Sequence, residues 1–226
     1  MTELLRLREE VCRANQALPQ YGLVVMHSGN VSGYDPVSGR LVIKPSGMDY
    51  DQITPEKLVE VDVKSGILVN SACRPSVDLP HHLFLYRNVP ELRCVIHTHS
   101  NHATAFAATY QPIPLALTAI ADEFGDEVPC TPYVSNEGEE IGQAILKHKN
   151  NSPAILLGGH GVFAWGKSVR DALKAAVMVE DVAKTLILAK SIGQVQALPA
   201  EEVRRWYDRY QNRYGQVSAE PQRRAA

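Results

Sequence analysis

Between positions 94 and 99 the chain reads Cys-Val-Ile-His-Thr-His, an apolar run carrying two histidines two residues apart. Side chains alternate across a β-strand, so His97 and His99 leave the same face of one. A third histidine, His160, stands in Leu157-Gly158-Gly159-His160-Gly161, where glycines separate two further apolar runs. A fold that brings His160 up to the pair creates a set of three imidazole donors. Three protein ligands with one position left open is the pattern of a catalytic divalent-cation site; a structural site is closed by a fourth. Alone, His-x-His reads equally well as a solvated strand face. The surrounding residues decide between these readings.

Bulk properties narrow the field. With 226 residues, 45% of them apolar and 21% charged, the chain can bury a full core as one domain. A formal charge of −2 gives no electrostatic reason to expect nucleic acid or an anionic membrane surface as partner. The segment 154–166 is too broken by Gly158, Gly159 and His160 to span a bilayer, and residues 1–6 show no signal pattern. A cytoplasmic protein is the expectation. Cys12, Cys73, Cys94 and Cys130 lie far apart with no Cys-x-x-Cys pair, which fits reduced thiols. A metal must therefore be held by histidine.

Periodicity predicts helices over 3–18, 79–87, 102–110, 137–149, 168–191 and 201–210. The helix at 79–87 is entered at Asp78, with Pro80 tolerated in its first turn. Ser168-Val169-Arg170-Asp171 resembles a capping box with Asp in place of Glu. Strands are expected over 41–44, 58–63, 66–70, 93–99, 154–157 and 162–165, with a turn at 35–39. The natural guess is an α+β domain, layered α/β/α, with a mainly antiparallel central sheet between helices. It should run over 1–216, followed by a polar tail at 217–226 that frays.

Seven segments, taken in order, resemble the class II aldolase/adducin family, and within it the L-ribulose-5-phosphate 4-epimerase branch. They are Ser28-Gly29-Asn30-Val31-Ser32, Ile43-Lys44-Pro45-Ser46-Gly47, Pro75-Ser76-Val77-Asp78, His97-Thr98-His99-Ser100, Gly159-His160-Gly161, Phe163-Ala164-Trp165-Gly166-Lys167 and Tyr214-Gly215-Gln216. The resemblance implies a class II aldolase-like fold and a Zn²⁺ site formed by His97, His99 and His160. Asp78 lies beside that site, able to coordinate when no substrate is present. Mn²⁺ or Co²⁺ could substitute, because imidazole and carboxylate discriminate weakly among these ions. Gly29, Asn30, Lys44, Ser46, Gly47 and Ser76 match positions that cradle a substrate phosphate. Val77 departs from the commoner Pro-Ser-Ser-Asp motif and removes one hydroxyl donor.

The same resemblance assigns proton transfer to Asp122 and Tyr214, the tyrosine reaching a neighbouring subunit's site, with Thr118 close by. Glu123, adjacent to Asp122, is the alternative carboxylate. Trp206-Tyr207 stand where some members have a histidine. The implied reaction is interconversion of L-ribulose 5-phosphate and D-xylulose 5-phosphate by cleaving and rejoining the C3–C4 bond, in a homotetramer with sites at subunit interfaces. Fuculose-1-phosphate-type aldolases are the second reading; they place Glu where this chain has Asp78, although the short stretch 131–150 looks more like theirs. A non-catalytic adducin-like module predicts loss of the metal ligands, all of which are present. A zinc hydrolase leaves the phosphate loops without a role.

Overall fold

The computed structural model describes residues 2–70 and 72–213. One eight-stranded sheet organises them. In chain order its strands are β1 (Asn30–Asp35), β2 (Arg40–Ile43), β3 (Val59–Asp62), β4 (Leu68–Asn70), β5 (Cys94–Thr98), β6 (Cys130–Thr131), β7 (Ala154–Leu157) and β8 (Gly161–Gly166). Their order across the sheet is β4-β3-β2-β1-β5-β8-β7-β6. Every pairing is antiparallel except β6 with β7.

Both faces of the sheet are covered, giving the expected α/β/α layering. Helices α1 (Glu3–Gln20), α3 (Asn101–Ala108), α4 (Thr118–Phe124) and α6 (Val169–Ile192) supply residues to one core cluster, which includes Val31, Val42, Ile96, Leu156 and Ala164 from the strands. The opposite face packs Leu41, Ile43, Val95, Ile155 and Phe163 against α2 (Leu79–Asn88) and α5 (Glu140–His148). Helix α7 (Ala200–Arg213) lies against α4.

Local chemistry explains the element ends. At the start of α6 the Ser168 hydroxyl accepts from the Asp171 N–H at 3.1 Å and donates to its carboxylate at 2.7 Å. This is an N-cap, with the acid answering the hydroxyl instead of the backbone. Asp78 stands at the N-cap of α2 but makes no capping bond, because its side chain is engaged elsewhere. Helix α4 stops at Gly125, whose φ of 66° is left-handed.

Three elements differ from expectation. Asn-Val-Ser-Gly-Tyr-Asp, β1, lies at the centre of the sheet although it shows no apolar alternation. It is buried on both faces, with Ser32 satisfied by His82 and Tyr86 and Gly33 making room for α1. Residues 118–124, to which periodicity assigns no element, form α4. The two-residue β6 is too short to leave a periodic signal. Tyr214 and the 217–226 tail lie outside the described residues.

Gly33 gives a test of this packing. A Cβ there would sit 2.6 Å from Val11 Cγ2 and 2.7 Å from Leu7 Cδ1, in the tightest part of the α1–β1 contact. Gly33→Ala should destabilise the chain by about 1–3 kcal/mol in urea unfolding, the usual cost of overpacking. A change below about 0.5 kcal/mol, the level of an ordinary surface substitution, would show that α1 yields freely.

Candidate active site

Antiparallel pairing brings the start of β1, the end of β5 and the start of β8 to one edge of the molecule. Asn30 is the register partner of His97, and Thr98 faces Val162. Gly29 precedes β1 with φ of 81°, and a Cβ there would fall 2.7 Å from the His97 carbonyl oxygen. Only glycine lets the two chains approach this closely. The Tyr50 hydroxyl, 2.6 Å from the Ser28 carbonyl and 3.0 Å from that of Gly29, holds the loop from behind.

The three histidines converge. One ligand-capable nitrogen from each of His97, His99 and His160 lies within 4.8 Å of the others, and the Nε2 atoms of His97 and His99 are 2.9 Å apart. His97 Nδ1 is 2.9 Å from the Val162 carbonyl. A carbonyl only accepts, so the proton is on Nδ1 and the Nε2 lone pair faces the cluster. Burial pushes the His97 pKa down to about 3 and also lowers those of His99 and His160. All three are thus neutral donors at neutral pH. Tetrahedral zinc at about 2.0–2.1 Å from nitrogen ligands places those nitrogens about 3.3 Å apart, so the cluster has the right size and protonation state for such an ion.

Asp78 lies beside the imidazoles, but its Oδ2 accepts from Asn30 Nδ2 at 2.6 Å and from the Ser76 hydroxyl at 3.4 Å. Burial would raise its pKa, yet the facing His97 and His82 rings and the Asn30 amide hold the carboxyl below its usual range. It forms one wall, outside the compact set of three nitrogens.

The six residues expected to cradle phosphate all line the same cavity as the histidines, of about 320 Å³. Lys44 is 2% exposed, and its ammonium reaches only the His27 and Pro45 carbonyls, at 3.2 and 3.4 Å, and the face of Tyr50 at 5.0 Å, among the described residues. Burial lowers its pKa, with Asp49 and Asp78 opposing the shift. Val77, 73% exposed, stands at the rim where a hydroxyl would otherwise be offered.

Asp122 does not line this cavity. It sits on α4, where Oδ1 is buried without a hydrogen-bond partner among the described residues. Burial raises its pKa, with Arg209 of α7 opposing. The neighbouring Glu123 is bound by Lys174 at 2.6 Å, so of the two carboxylates Asp122 is the uncommitted one. Thr118, at the start of α4, also lies outside the cavity lining.

Four contributors escape motif reading. Asn136 and His27 line the cavity, and His81 holds Asn136. Behind His97, His82 Nδ1 meets the Ser32 hydroxyl at 2.7 Å while its ring packs near Phe163. The adjacent histidines after Asp78 were the available signal for two of these.

The model of the class II aldolase and adducin N-terminal domain matches residues 9–187. Among solved structures, an L-fuculose 1-phosphate aldolase superposes with a TM-score of 0.83 at 26% identity, covering 93% of this chain and 98% of that one. YgbL from Escherichia coli, a candidate aldolase, epimerase or decarboxylase, gives 0.79 at 27% identity, covering 91% and 100%. The L-fuculose-1-phosphate aldolase from Thermus thermophilus gives 0.68 at 26%, covering 83% and 96%.

Two outcomes test the site. After dialysis against dilute zinc the protein should retain about one equivalent of metal, and His97→Ala and His160→Asn should each lose it. Normal stoichiometry in either variant removes that residue from the donor set.

The second concerns pH. Burial sets the folded pKa of His82 at about 4 and that of His97 at about 3, against about 6.5 unfolded. Between those values the unfolded chain binds protons that the folded chain does not, so stability rises with pH across the window and is complete above about 6.5. Metal-free protein should therefore lose stability as pH falls from 6.5 towards 4, by at most about 3 kcal/mol for His82. His82→Asn should flatten the slope by about one proton. An unchanged slope would refute the assignment.

Proposed function

We infer from this chain's membership of the class II aldolase and adducin family, to which it belongs, that it is a metal-dependent sugar-phosphate 4-epimerase acting on L-ribulose 5-phosphate. One observation carries the reading: three neutral imidazoles and a Gly-Asn/Lys/Ser-Gly/Ser cradle line one cavity. That cavity takes a small molecule with a phosphate at one end and carbonyl or hydroxyl oxygens at the other. A zinc-type cation held by His97, His99 and His160, with Asp78 beside it, would supply Lewis acidity for charge developing on those oxygens.

Epimerisation at C4 is not a simple proton exchange, because the C4 hydrogen is not adjacent to the C2 carbonyl. Removing the C4 hydroxyl proton and breaking the C3–C4 bond sends the electron pair into a three-carbon enediolate and leaves glycolaldehyde phosphate. Rotation of the aldehyde, re-formation of the bond on its other face and return of the proton invert the centre. The cradle's part is retention: Lys44, Ser46, Ser76 and the backbone at Gly29 and Gly47 hold the phosphate while the aldehyde turns.

Two proton carriers are needed, one for each face. Asp78 is a weak base, since Asn30 and Ser76 donate to its Oδ2 and the facing groups hold its pKa below the usual range. The reading therefore gives proton transfer to Asp122 and Tyr214. Asp122 does not reach the cavity of its own chain, which fits a homotetramer in which these groups serve a neighbour's site. A second reading, cleavage of a ketose 1-phosphate, is favoured by the likeness to L-fuculose 1-phosphate aldolase.

Product analysis by NMR decides between them. Zinc-loaded protein should convert L-ribulose 5-phosphate to D-xylulose 5-phosphate and leave L-fuculose 1-phosphate largely uncleaved. Asp122→Asn should slow this at least about 100-fold, within the usual contribution of a general acid–base group, while keeping its metal. Net aldehyde release from L-fuculose 1-phosphate without inversion of the pentulose would establish the aldolase instead.

A further inference from the structure

One wall of the cavity has no assigned role. Asn136 lies in the loop between β6 and α5 and lines the cavity beside His160. Its Oδ1 is 3.1 Å from Nε2 of His81, an imidazole only 1% exposed on α2. The other ring nitrogen, Nδ1, is buried with no hydrogen-bond partner among the described residues.

That asymmetry orients the amide. A proton on Nδ1 would be an orphaned buried donor, at a cost of about 1–3 kcal/mol, so the proton belongs on Nε2. Nε2–H then donates to Oδ1. The amide nitrogen of Asn136, an exposed residue, is left as a hydrogen-bond donor at the cavity wall, its oxygen held by the buried His81.

Sheet order says what this donor meets. The phosphate cradle is built at β1 and β2, and the imidazoles at β5 and β8. The loop carrying Asn136 leaves β6, beyond β8 and β7, and reaches back to His81 in the first turn of α2. A sugar phosphate anchored at the cradle and lying across the imidazoles presents its non-phosphorylated end to that loop. We propose that Asn136 is a specificity-determining residue, positioned by His81, that donates a hydrogen bond to the hydroxyl at the end of the ketose remote from its phosphate. In L-ribulose 5-phosphate this is the C1 hydroxyl. The inference rests on the sugar-phosphate reading above but not on whether the bound sugar is inverted or cleaved.

Equilibrium binding separates the two questions. Zinc-loaded protein would be titrated calorimetrically with L-ribulose 5-phosphate, its 1-deoxy analogue and inorganic phosphate. The parent protein should bind the hydroxylated sugar about 5- to 10-fold tighter than the analogue, the scale of one net hydrogen bond. In Asn136→Ala the preference should collapse to within about 2-fold, through weaker binding of L-ribulose 5-phosphate alone. His81→Phe should behave like Asn136→Ala, and His81→Gln, which keeps a donor, should restore the preference. Phosphate affinity should stay constant throughout, reporting an intact cradle.

Equal weakening of both sugars in Asn136→Ala would make the contact structural and overturn the proposal, as would a parent protein that binds the two sugars alike. Discrimination without turnover of L-ribulose 5-phosphate would uphold Asn136 and sink the epimerase reading. Binding of neither sugar would end both.

Discussion

The bond from His97 Nδ1 to the Val162 carbonyl, 2.9 Å long and wholly buried, is the joint on which the site depends. It ties β5 to β8 through a side chain, fixes the tautomer and turns Nε2 towards His99 and His160. The same residue's backbone accepts the close approach of Gly29, so the Gly29 loop and the imidazole cluster share one reference point. Phe163, stacked on His97 with centroids 4.6 Å apart, removes the ring's remaining freedom. Imidazole geometry, loop geometry and strand register are thus one constraint. A shift at any of the three is felt by the others, because close-packed interiors transmit displacement.

Electrostatics give the cavity its direction. Lys44 and Asp78 are both buried, yet the ammonium meets only carbonyl dipoles and an aromatic face among the described residues, while the carboxylate is met by an amide and a hydroxyl. Asp49 and Asp78 offset part of the cost of burying this cation but make no direct ion pair with it among the described residues, and an anion would compensate it better than a neutral ligand. Asp78, by contrast, accepts two direct hydrogen bonds on Oδ2. The Lys44 end therefore carries positive charge, while the histidine end, kept uncharged by burial, presents lone pairs.

How far the sequence revealed this differs from residue to residue. His97, His99 and His160 were legible because strand alternation and a glycine-flanked turn carry geometric meaning on their own. That Gly29, Asn30, Lys44, Ser46, Gly47 and Ser76 share the histidines' cavity was legible only from the set, by resemblance, since glycine, serine and asparagine in a turn are ordinary turn chemistry. Strand β1 was missed because a strand buried on both faces, with Ser32 and Gly33 in its middle, has no alternation to show. Helix α4 is a single short run around Ile120 and Phe124, too brief for periodicity. His81 and Asn136 are 55 residues apart, and nothing local predicts that contact. Tertiary pairing of two unremarkable polar residues leaves no trace in a linear pattern.

What separates rejoining from release is which fragment the protein holds. When a ketose 1-phosphate is cleaved, the phosphate stays with the enediolate fragment, so one anchor suffices and the aldehyde departs. When a pentulose 5-phosphate is cleaved at C3–C4, the phosphate leaves with the aldehyde fragment, and the three-carbon piece keeps only its oxygens. A rejoining enzyme must grip both pieces, the aldehyde through its phosphate and the other through polar contacts on the opposite wall. On the proposed reading, the loops at β1 and β2 and the Asn136 amide would be those two grips. Tumbling of the aldehyde about its phosphate, with the partner fragment held still, then exchanges one face for the other without loss of either piece.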